Sequence, residues 1–573
     1  NILWDGKNEF KGINGFFLFL KRKSYKIQYR VMLSRYRGTS RCKECDGNRL
    51  NKAAQYIMIN NKNIGALINL PFQELLTFIN SIYIKEDENK VVSKIIQEIK
   101  TRILSMINLG MNYLTLNRKS SSLSGGESQR INIAKSIGSG LIGSLYILDE
   151  PSIGLHSRDT NKLIQILNEL KNLGNSIIIV EHDKEIIKAA DYIIDIGPLA
   201  GINGGEVVYS GRVNNINSTS LTMSYINNIK QVESIIKKRN PIKFIKIKGA
   251  KKNNLKHINV DIPLNVFTAI TGVSGSGKTS LLKDILFPGI KRKLKDYSFS
   301  PPECDSIEMN LSDIENIDFI NHHSIKKLSK SNPITYINAF DSIRILLASQ
   351  YLSKINNLTA KCFSFNVPGG RCEHCKGQGY IIIEMQFLSD ITLTCERCDG
   401  KRYQEEILKI TFKDKNISDL LNMTIKEGCN FFSKHNETNI SKQMDPLLNV
   451  GLDYLKLGQP VNTLSAGEAQ RLKLASFLSK KNRKSILIFD EPTKGLHFHD
   501  IKILITAFQN LVKTGNTVIV IEHNLDIIKN VDWVIDLGPD GGDKGGNIMF
   551  SGNPKNLINE ESHTGRALKK III

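Results

Sequence analysis

The sequence runs to 573 residues, 41% apolar and 23% charged, with 78 Lys and Arg against 56 Asp and Glu for a formal charge of +22. That composition belongs to a globular protein too long for one ordinary domain, and two to four domains are expected. No apolar run approaches the roughly 18 to 20 residues of a membrane span, and the opening NILWDGKNEF lacks the basic-then-apolar form of a signal peptide, so a cytoplasmic protein is expected. The charge suits a polyanion such as nucleic acid, although Lys, Asn and Ile abound along the whole chain and charge alone does not decide. The first residue is Asn1 rather than Met, as in a processed or truncated chain.

In chain order, the first feature is Cys42-x-x-Cys45. Nine cysteines are present and six fall into such pairs, at 42/45, 372/375 and 395/398. This is a metal-ligand spacing rather than the framework of a secreted disulfide protein. The partner ligands of Cys42 and Cys45 are not evident, so zinc there stays open.

LSGGESQRINIAKSI follows at 123–137. Ser124-x-x-Glu127 is a capping box that starts a helix at Gly125 and Gly126, whose free N–H groups and Ser hydroxyl can meet an anion. A capped helix start alone would explain most such matches. However, TLSAGEAQRLKLASF at 463–477 repeats the phrase with Ser465, Gly467 and Glu468.

The repeat is long. Leu123 aligns with Leu464, Asp149 with Asp490, His182 with His523, Asp195 with Asp536 and Gly211 with Gly552, always 341 residues apart. An ungapped match over about ninety residues means duplicated domains rather than a stacking repeat of about 20 to 50 residues. In each copy an apolar strand ending in Asp-Glu-Pro (SLYILDEP at 144–151, SILIFDEP at 485–492) precedes a helical stretch and a second strand (SIIIVEHD at 176–183, TVIVIEHN at 517–524). That alternation predicts an α/β fold with parallel strands buried on both faces.

Only the second copy has a phosphate loop. NVFTAITGVSGSGKTSLLKDIL at 265–286 reads as strand, glycine loop and helix. Gly272, Ser274, Gly275, Gly277, Lys278, Thr279 and Ser280 would form the cradle, with Lys278 reaching the β- and γ-phosphates of ATP and Thr279 holding Mg²⁺. Asp490 should support Mg²⁺, and Glu491 is placed to orient or deprotonate the attacking water. His523, after the next strand, would meet the γ-phosphate. Asp149, Glu150 and His182 are the matching residues of an incomplete second site, with Ser465 and Gly467 as its signature. Between the loop and the second signature, Cys372-x-x-Cys375 and Cys395-x-x-Cys398 supply four thiolates, the spacing of a closed tetrahedral zinc site. A redox dithiol is the competing reading, and it would not need two matched pairs.

Phosphate loop, LSGGE-type signature, Asp-Glu and switch histidine in this order resemble the ATP-binding cassette superfamily. Within it, FSFNVPGGRCEHCKGQGYIIIEMQFLSDITLTCERCDGKRY at 363–403, YRVMLSRYRGTSRCKECDGNRL at 29–50, SNPITY at 331–336, DEPSIGLH and DEPTKGLH resemble the UvrA family of bacterial nucleotide excision repair across essentially the whole chain. The resemblance implies composite ATP sites, so that Ser124, Gly125 and Gly126 would complete the Lys278 site. It also implies a first cassette whose phosphate loop and UvrB-binding module, about the first third of such proteins, have no counterpart here. Damaged duplex DNA, a UvrB-like protein and a second copy of the chain are the implied partners. Its DNA-facing segment corresponds to Lys326, Lys327, Lys330, Ser331, Asn332 and Tyr336, phosphate-contacting types without sequence readout. Departures are Asn321-His322 for a usual Asp-Gln, Lys327 and Lys330 for usual arginines, which lose the bidentate fork, and Ala466 for the signature glycine.

The expected architecture is two cassette cores, the first incomplete, with a zinc-bearing insertion in the second. The segments are 1–120 (remnant with a Cys pair), 121–240 (end of the first cassette), 241–300 (start of the second), 301–461 (zinc and DNA insertion) and 462–573 (end of the second). The expected function is ATP-dependent DNA-damage recognition. Alternatives are the ATPase of a transport or UvrA-like resistance system, and a fragment without activity of its own.

Overall fold

The computed structural model describes all residues except 1, 8–10, 37–41, 83–88, 121–122, 124, 138–141, 153, 214–219, 234–237, 321–330, 384, 386–390, 480–483 and 573. It divides into two compact units, one of residues 1–89 and 115–118 and the other of 90–114 and 119–573.

The smaller unit is mainly helical. It carries helices Gly12–Arg22 and Ile27–Tyr36, a short antiparallel hairpin of β1 (Met58–Ile59) and β2 (Lys62–Asn63), and helix Phe72–Asn80. That last helix buries Phe72, Leu75, Phe78 and Ile79 at a helical spacing, which gives the unit its own apolar seam.

The larger unit holds both copies of the repeat. In the first, signature helix Gly125–Ile137 leads to β3 (Leu145–Asp149), helix Ser157–Asn172, β4 (Ser176–Val180), β5 (Ile193–Gly197) and β6 (Glu206–Gly211). β3 and β4 pair in parallel, and β5 and β6 pair antiparallel. The second copy opens with β7 (Phe244–Ala250), β8 (Ile258–Pro263) and β9 (Phe267–Gly272), followed by a helix that is π-wound over Ser280–Leu286 and α-wound over Phe287–Lys293. β10 (Ser306–Glu308) completes an antiparallel sheet with β7 and β8, and β11 (Asn316–Ile320) enters the main sheet.

The insertion contains the hairpin β12 (Tyr380–Ile383) and β13 (Ile391–Thr394), the small pair β14 (Thr411–Phe412) and β15 (Lys415–Asn416), and helices Ile425–Lys434 and Thr438–Leu448. Its base belongs to the main core, because Phe363, Phe365 and Tyr403 join the same buried cluster as Phe267, Phe489 and Phe508. Signature helix Ala466–Ser479 then returns the chain to β16 (Ser485–Asp490), helix Phe498–Lys513, β17 (Thr517–Ile521), β18 (Trp533–Gly538), β19 (Asn547–Gly552) and helix His563–Ile572.

The main sheet has the order β11-β16-β17-β9-β18-β19, parallel except for β19. β9 is the central strand between β17 and β18, so the phosphate loop leaves the sheet at the carboxyl end of β9, beside that of β17 and one strand from that of β16, where α/β sheets place ligands. One face of this sheet is sealed by the loop's helix and by β7 and β8, through Ile262, Leu281, Leu282 and Ile285 against Ile488, Ile519 and Ile521.

The first copy shows what that cover does. Among the described residues, β4 and β5 have no strand between them, and the counterparts of those buried isoleucines are open. Ile147, Ile178 and Val180 are 69%, 53% and 52% exposed, whereas Ile488, Ile519 and Ile521 are at most 1% exposed. Sequence period is the same and apolar character closely similar in both copies, so the difference lies mainly in the packing.

Ile488→Ala is therefore expected to cost about 2 to 5 kcal/mol, and the equivalent Ile147→Ala no more than about 0.5 kcal/mol. Shifts in the midpoint of chemical unfolding would check this, and equal shifts would contradict the difference in cover.

Candidate functional site

The phosphate loop owes its shape to three glycines. Gly272, Gly275 and Gly277 sit at φ +131°, +77° and +105°, where a side chain is disfavoured. Space forbids one too: a Cβ on Gly272 would lie 2.0 Å from the Leu537 carbonyl oxygen. Lys278 is buried, and its ammonium donates to the carbonyls of Gly272 at 2.9 Å and Val273 at 2.8 Å. Burial lowers its pKa to about 8, against the opposing pull of Glu491, Asp536 and Asp490. Thr279 is exposed at the start of the following helix, and the Ser280 hydroxyl accepts from Asn253 Nδ2 at 2.8 Å.

Asp490 ends β16 and is partly buried. Burial, and then the neighbouring Glu491, raise its pKa to about 7, and a bound cation would pull it back towards the ionised form. Glu491 adopts φ +48°, a left-handed conformation uncommon for a non-glycine residue, with its N–H donating to Ile521 O at 3.0 Å. His523 is partly buried with its Nδ1 out of water, and desolvation holds its pKa well below the usual imidazole value, with the Lys278 charge adding to the effect. Glu522 fixes this corner: it accepts from Thr493 N and Oγ1 at 2.8 and 2.6 Å and from the N–H groups of His523 and Asn524 at 3.0 and 3.1 Å.

The first copy reaches into this site. Arg130 of helix Gly125–Ile137 is 1% exposed and donates to Leu109 O at 3.1 Å and to Ser274 Oγ of the phosphate loop at 2.9 Å. Tyr113 donates to Glu127 Oε1 at 2.6 Å while its ring packs on the loop, so that a Cβ on Gly275 would lie 2.7 Å from the ring. Gly154 lies against Glu491, since a Cβ there would be 3.0 Å from Glu491 Oε1. Gly125 and Gly126 open the signature helix, and Ser124 lies outside the described residues.

The arrangement is reciprocal. A Cβ on Gly495 would lie 3.0 Å from Glu150 Oε1, and one on Gly201 would lie 2.8 Å from the Tyr454 ring. Tyr454 donates to Glu468 Oε1 at 2.7 Å, and Ser465 and Glu468 form the capping box with N···O distances of 2.8 and 3.2 Å. Gly467 follows within helix Ala466–Ser479. Asp149 and Glu150 end β3, and His182 Nε2 lies 3.6 Å from Glu150 Oε1. Glu150 and Glu491, with His182 and His523, line one cavity of about 630 Å³ between the copies.

Cys372, Cys375, Cys395 and Cys398 are buried together, with their sulfurs all within 4.8 Å of one another. Sγ separations of 3.9 Å (372 to 395) and 3.7 Å (375 to 398) match the edges of about 3.8 Å of a tetrahedron whose metal–sulfur bonds are about 2.3 Å. The four thiols therefore fit zinc. Each pair ends in a turn through Gly377 or Gly400 at positive φ, and Gly379 N–H donates to Cys375 Sγ at 3.2 Å. Cys42 and Cys45 precede a similar turn, with Asp46 and Gly47 at positive φ, but no metal cluster among the described residues includes them.

Lys326, Lys327 and Lys330, with Asn321 and His322, lie outside the described residues. Ser331 is partly exposed, and its carbonyl accepts from Val461 N–H at 2.9 Å. Asn332, expected as a DNA-facing residue, has a structural role here. It is 1% exposed and caps helix Pro333–Tyr336, accepting from Thr335 N at 2.9 Å. Tyr336 packs against the main core and bonds Ser476. Sequence reasoning passed over Tyr113, Arg130, His156 and Glu522. All four recur 341 residues away, at Tyr454, Arg471, His497 and Glu181, and that offset was the available signal.

The purified chain should hold about one tightly bound zinc. Cys375→Ser should release it and raise the protease sensitivity of the insertion while Lys278 chemistry persists, and elemental analysis finding no zinc in the folded wild-type chain would refute this.

The family profile described as ABC transporter matches residues 376–494. Among curated proteins, UvrABC system protein A of Clostridium acetobutylicum is 47% identical over 545 residues, which covers 94% of this chain and 58% of that protein. The same-named protein of Staphylococcus aureus (strain MRSA252) is 45% identical over 549 residues, again with 58% of its length covered. The chain thus spans 58% of the length of these curated relatives. The crystal structure of UvrA2 from Deinococcus radiodurans superposes with a TM-score of 0.85 at 34% identity, covering 97% of this chain and 69% of that one. On that match and on the reciprocal cassette geometry, the chain belongs to the UvrA family.

Proposed function

We propose that this chain is an ATP-dependent DNA-damage recognition subunit that binds and hydrolyses ATP at a composite site centred on Lys278. The observation that carries it is the closure of the second copy's phosphate loop by the first copy, through the 2.9 Å bond from Arg130 to Ser274 Oγ. In this reading the loop's N–H groups and Lys278 bind the β- and γ-phosphates, and the signature start at Ser124, Gly125 and Gly126 approaches from the opposite side. Thr279 and Asp490 are the groups that would hold Mg²⁺, which supplies charge neutralisation on the phosphates. Glu491 orients a water for attack on the γ-phosphorus; the bond to the bridging oxygen breaks, giving ADP and phosphate, and the water's proton passes to solvent or product. His523, kept neutral by burial, can donate one hydrogen bond to a γ-phosphate oxygen. Asp149, Glu150, His182, Ser465 and Gly467 would serve a second site once a phosphate loop is supplied to it.

The printed name of the relatives, UvrABC system protein A, fits a component that works with a UvrB-like partner, and we propose damaged duplex DNA as the substrate and a second copy of the chain as the dimer mate. DNA binding is proposed to draw on the net charge of +22 and on Lys326, Lys327, Lys330 and Ser331, with the four-cysteine zinc as a structural element. Phosphate contacts of this kind give affinity without sequence preference, as suits recognition of distortion.

Lys278→Ala should abolish binding of a labelled ATP analogue, whereas Glu491→Gln should bind it normally and slow turnover by about 10² or more. Glu150→Gln should change little, and a stoichiometry near two per chain would overturn the single-site reading.

A second expectation concerns DNA: Lys327→Ala with Lys330→Ala should weaken all duplexes alike and reduce the slope of log affinity against log salt by about 2. An unchanged slope would move the DNA contact elsewhere.

A further inference from the structure

His156 closes the Asp-Glu-Pro-Ser-Ile-Gly-Leu-His stretch of the first copy, has no assigned role, and is 1% exposed. Its Nδ1 accepts from Arg158 N–H at 3.3 Å, which caps helix Ser157–Asn172. Its Nε2 lies 3.2 Å from Thr564 Oγ1 of the second copy. Thr564 in turn donates its hydroxyl proton to Asp536 Oδ1 at 2.9 Å. With that proton committed, the hydroxyl can only accept from His156, so the two contacts select a single neutral tautomer bearing the proton on Nε2. Burial, with the Lys278 charge next, lowers the His156 pKa to about 3 and keeps the ring neutral. The ring stands edge-on to His523, with centroids 5.9 Å apart and planes at 90°. Nδ1 of His523 is buried without a hydrogen-bond partner among the described residues, so little besides packing fixes that ring.

The same device recurs in the other direction. His497 Nδ1 accepts from His499 N–H at 3.2 Å, His497 Nε2 lies 3.1 Å from Thr222 Oγ1, and Thr222 donates to Asp195 Oδ1 at 3.0 Å. Ser220 and Ser562 bond the same two aspartates. A chance polar contact would not be expected to recur across the pseudo-twofold arrangement with the same tautomer.

We infer that His156 is a positioning residue for the switch histidine His523, supplied across the interface between the copies and held by the Thr564–Asp536 relay. The inference rests on the nucleotide-site reading above and adds a residue which that reading does not use. Its mechanical content is simple. A ring fixed at both nitrogens cannot turn, and it confines the His523 plane that would face the γ-phosphate only while the two copies remain docked.

The test uses the full chain. Thr564→Val keeps the shape of the side chain and removes the hydroxyl, whereas Thr564→Ser restores it. Thr564→Val should lower kcat on the order of tenfold, with KM and the affinity for a labelled ATP analogue essentially unchanged, and Thr564→Ser should recover the wild-type rate. A wild-type kcat in folded Thr564→Val overturns the inference, as does a parallel loss of kcat and ATP affinity that Thr564→Ser does not rescue. Should Thr564→Val fail to fold, His156→Gln keeps an amide donor towards Thr564 but removes the ring. It must show the same selective fall in kcat, and an unchanged rate overturns the inference. A wild-type chain that binds no ATP analogue overturns the nucleotide-site reading and this inference together, whereas an active wild type with an unaffected Thr564→Val overturns this inference alone.

Discussion

A guanidinium that is 99% out of water needs partners, because an unpaired buried charge costs several kcal/mol. Arg130 finds one in the Leu109 carbonyl on its own side and another in Ser274 of the opposite copy, and its charge also acts on buried Asp159. Pulling the copies apart would strip the second partner. The rest of the composite site follows from that tie: Tyr113 lies on the loop glycines, Glu491 against Gly154 and His156 against His523 because the copies are held in register there. In a cassette protein the same tie decides whether the signature and the phosphate loop can face each other at all.

The near-symmetry sharpens what is unequal. Arg471 is likewise held by near-side groups, donating to Gly451 O at 3.1 Å, where Arg130 uses the Leu109 carbonyl, and to Tyr454 Oη at 3.3 Å, with Asp500 at 3.8 Å. Yet the strands that would carry the second signature's site differ from their counterparts in cover rather than in composition, as the isoleucines of β3 and β4 show beside those of β16 and β17. A strand sequence specifies that it can be buried on both faces; its neighbours decide whether it is.

Much of this was legible in the chain. The repeat located the strands that became β3, β4, β16 and β17, because short β-branched runs ending in Asp-Glu and in Glu-His have few other readings, whereas β18, which pairs with β9, was not read as a strand. The cysteine spacing pointed to four sulfurs that do converge. What the sequence hid were contacts joining residues far apart along it, such as Arg130 with Ser274, 144 positions away, and His156 with Thr564, 408 positions away. No local pattern encodes such pairs. Asn332 was ambiguous for the opposite reason. An asparagine before Pro333 is as good a helix cap as a phosphate contact, and only burial separates the two roles.

The two Ser-x-Thr segments carry a lesson about registration. Asp195 and Asp536 are 341 residues apart, but Ser220 and Ser562, like Thr222 and Thr564, are 342 apart. The second copy has gained one residue after β19, and a gapless alignment would match Thr564 with Met223. The hydrogen bonds ignore the shift, because the added residue is taken up before the hydroxyls reach their aspartates. Homologous exchange of tail segments between the copies must therefore splice on the hydroxyl–carboxylate pairing rather than on sequence numbering. A chimaera cut at the common offset would put the thioether of Met223 before His156 and the imidazole of His563 before His497, where each histidine expects a hydroxyl acceptor.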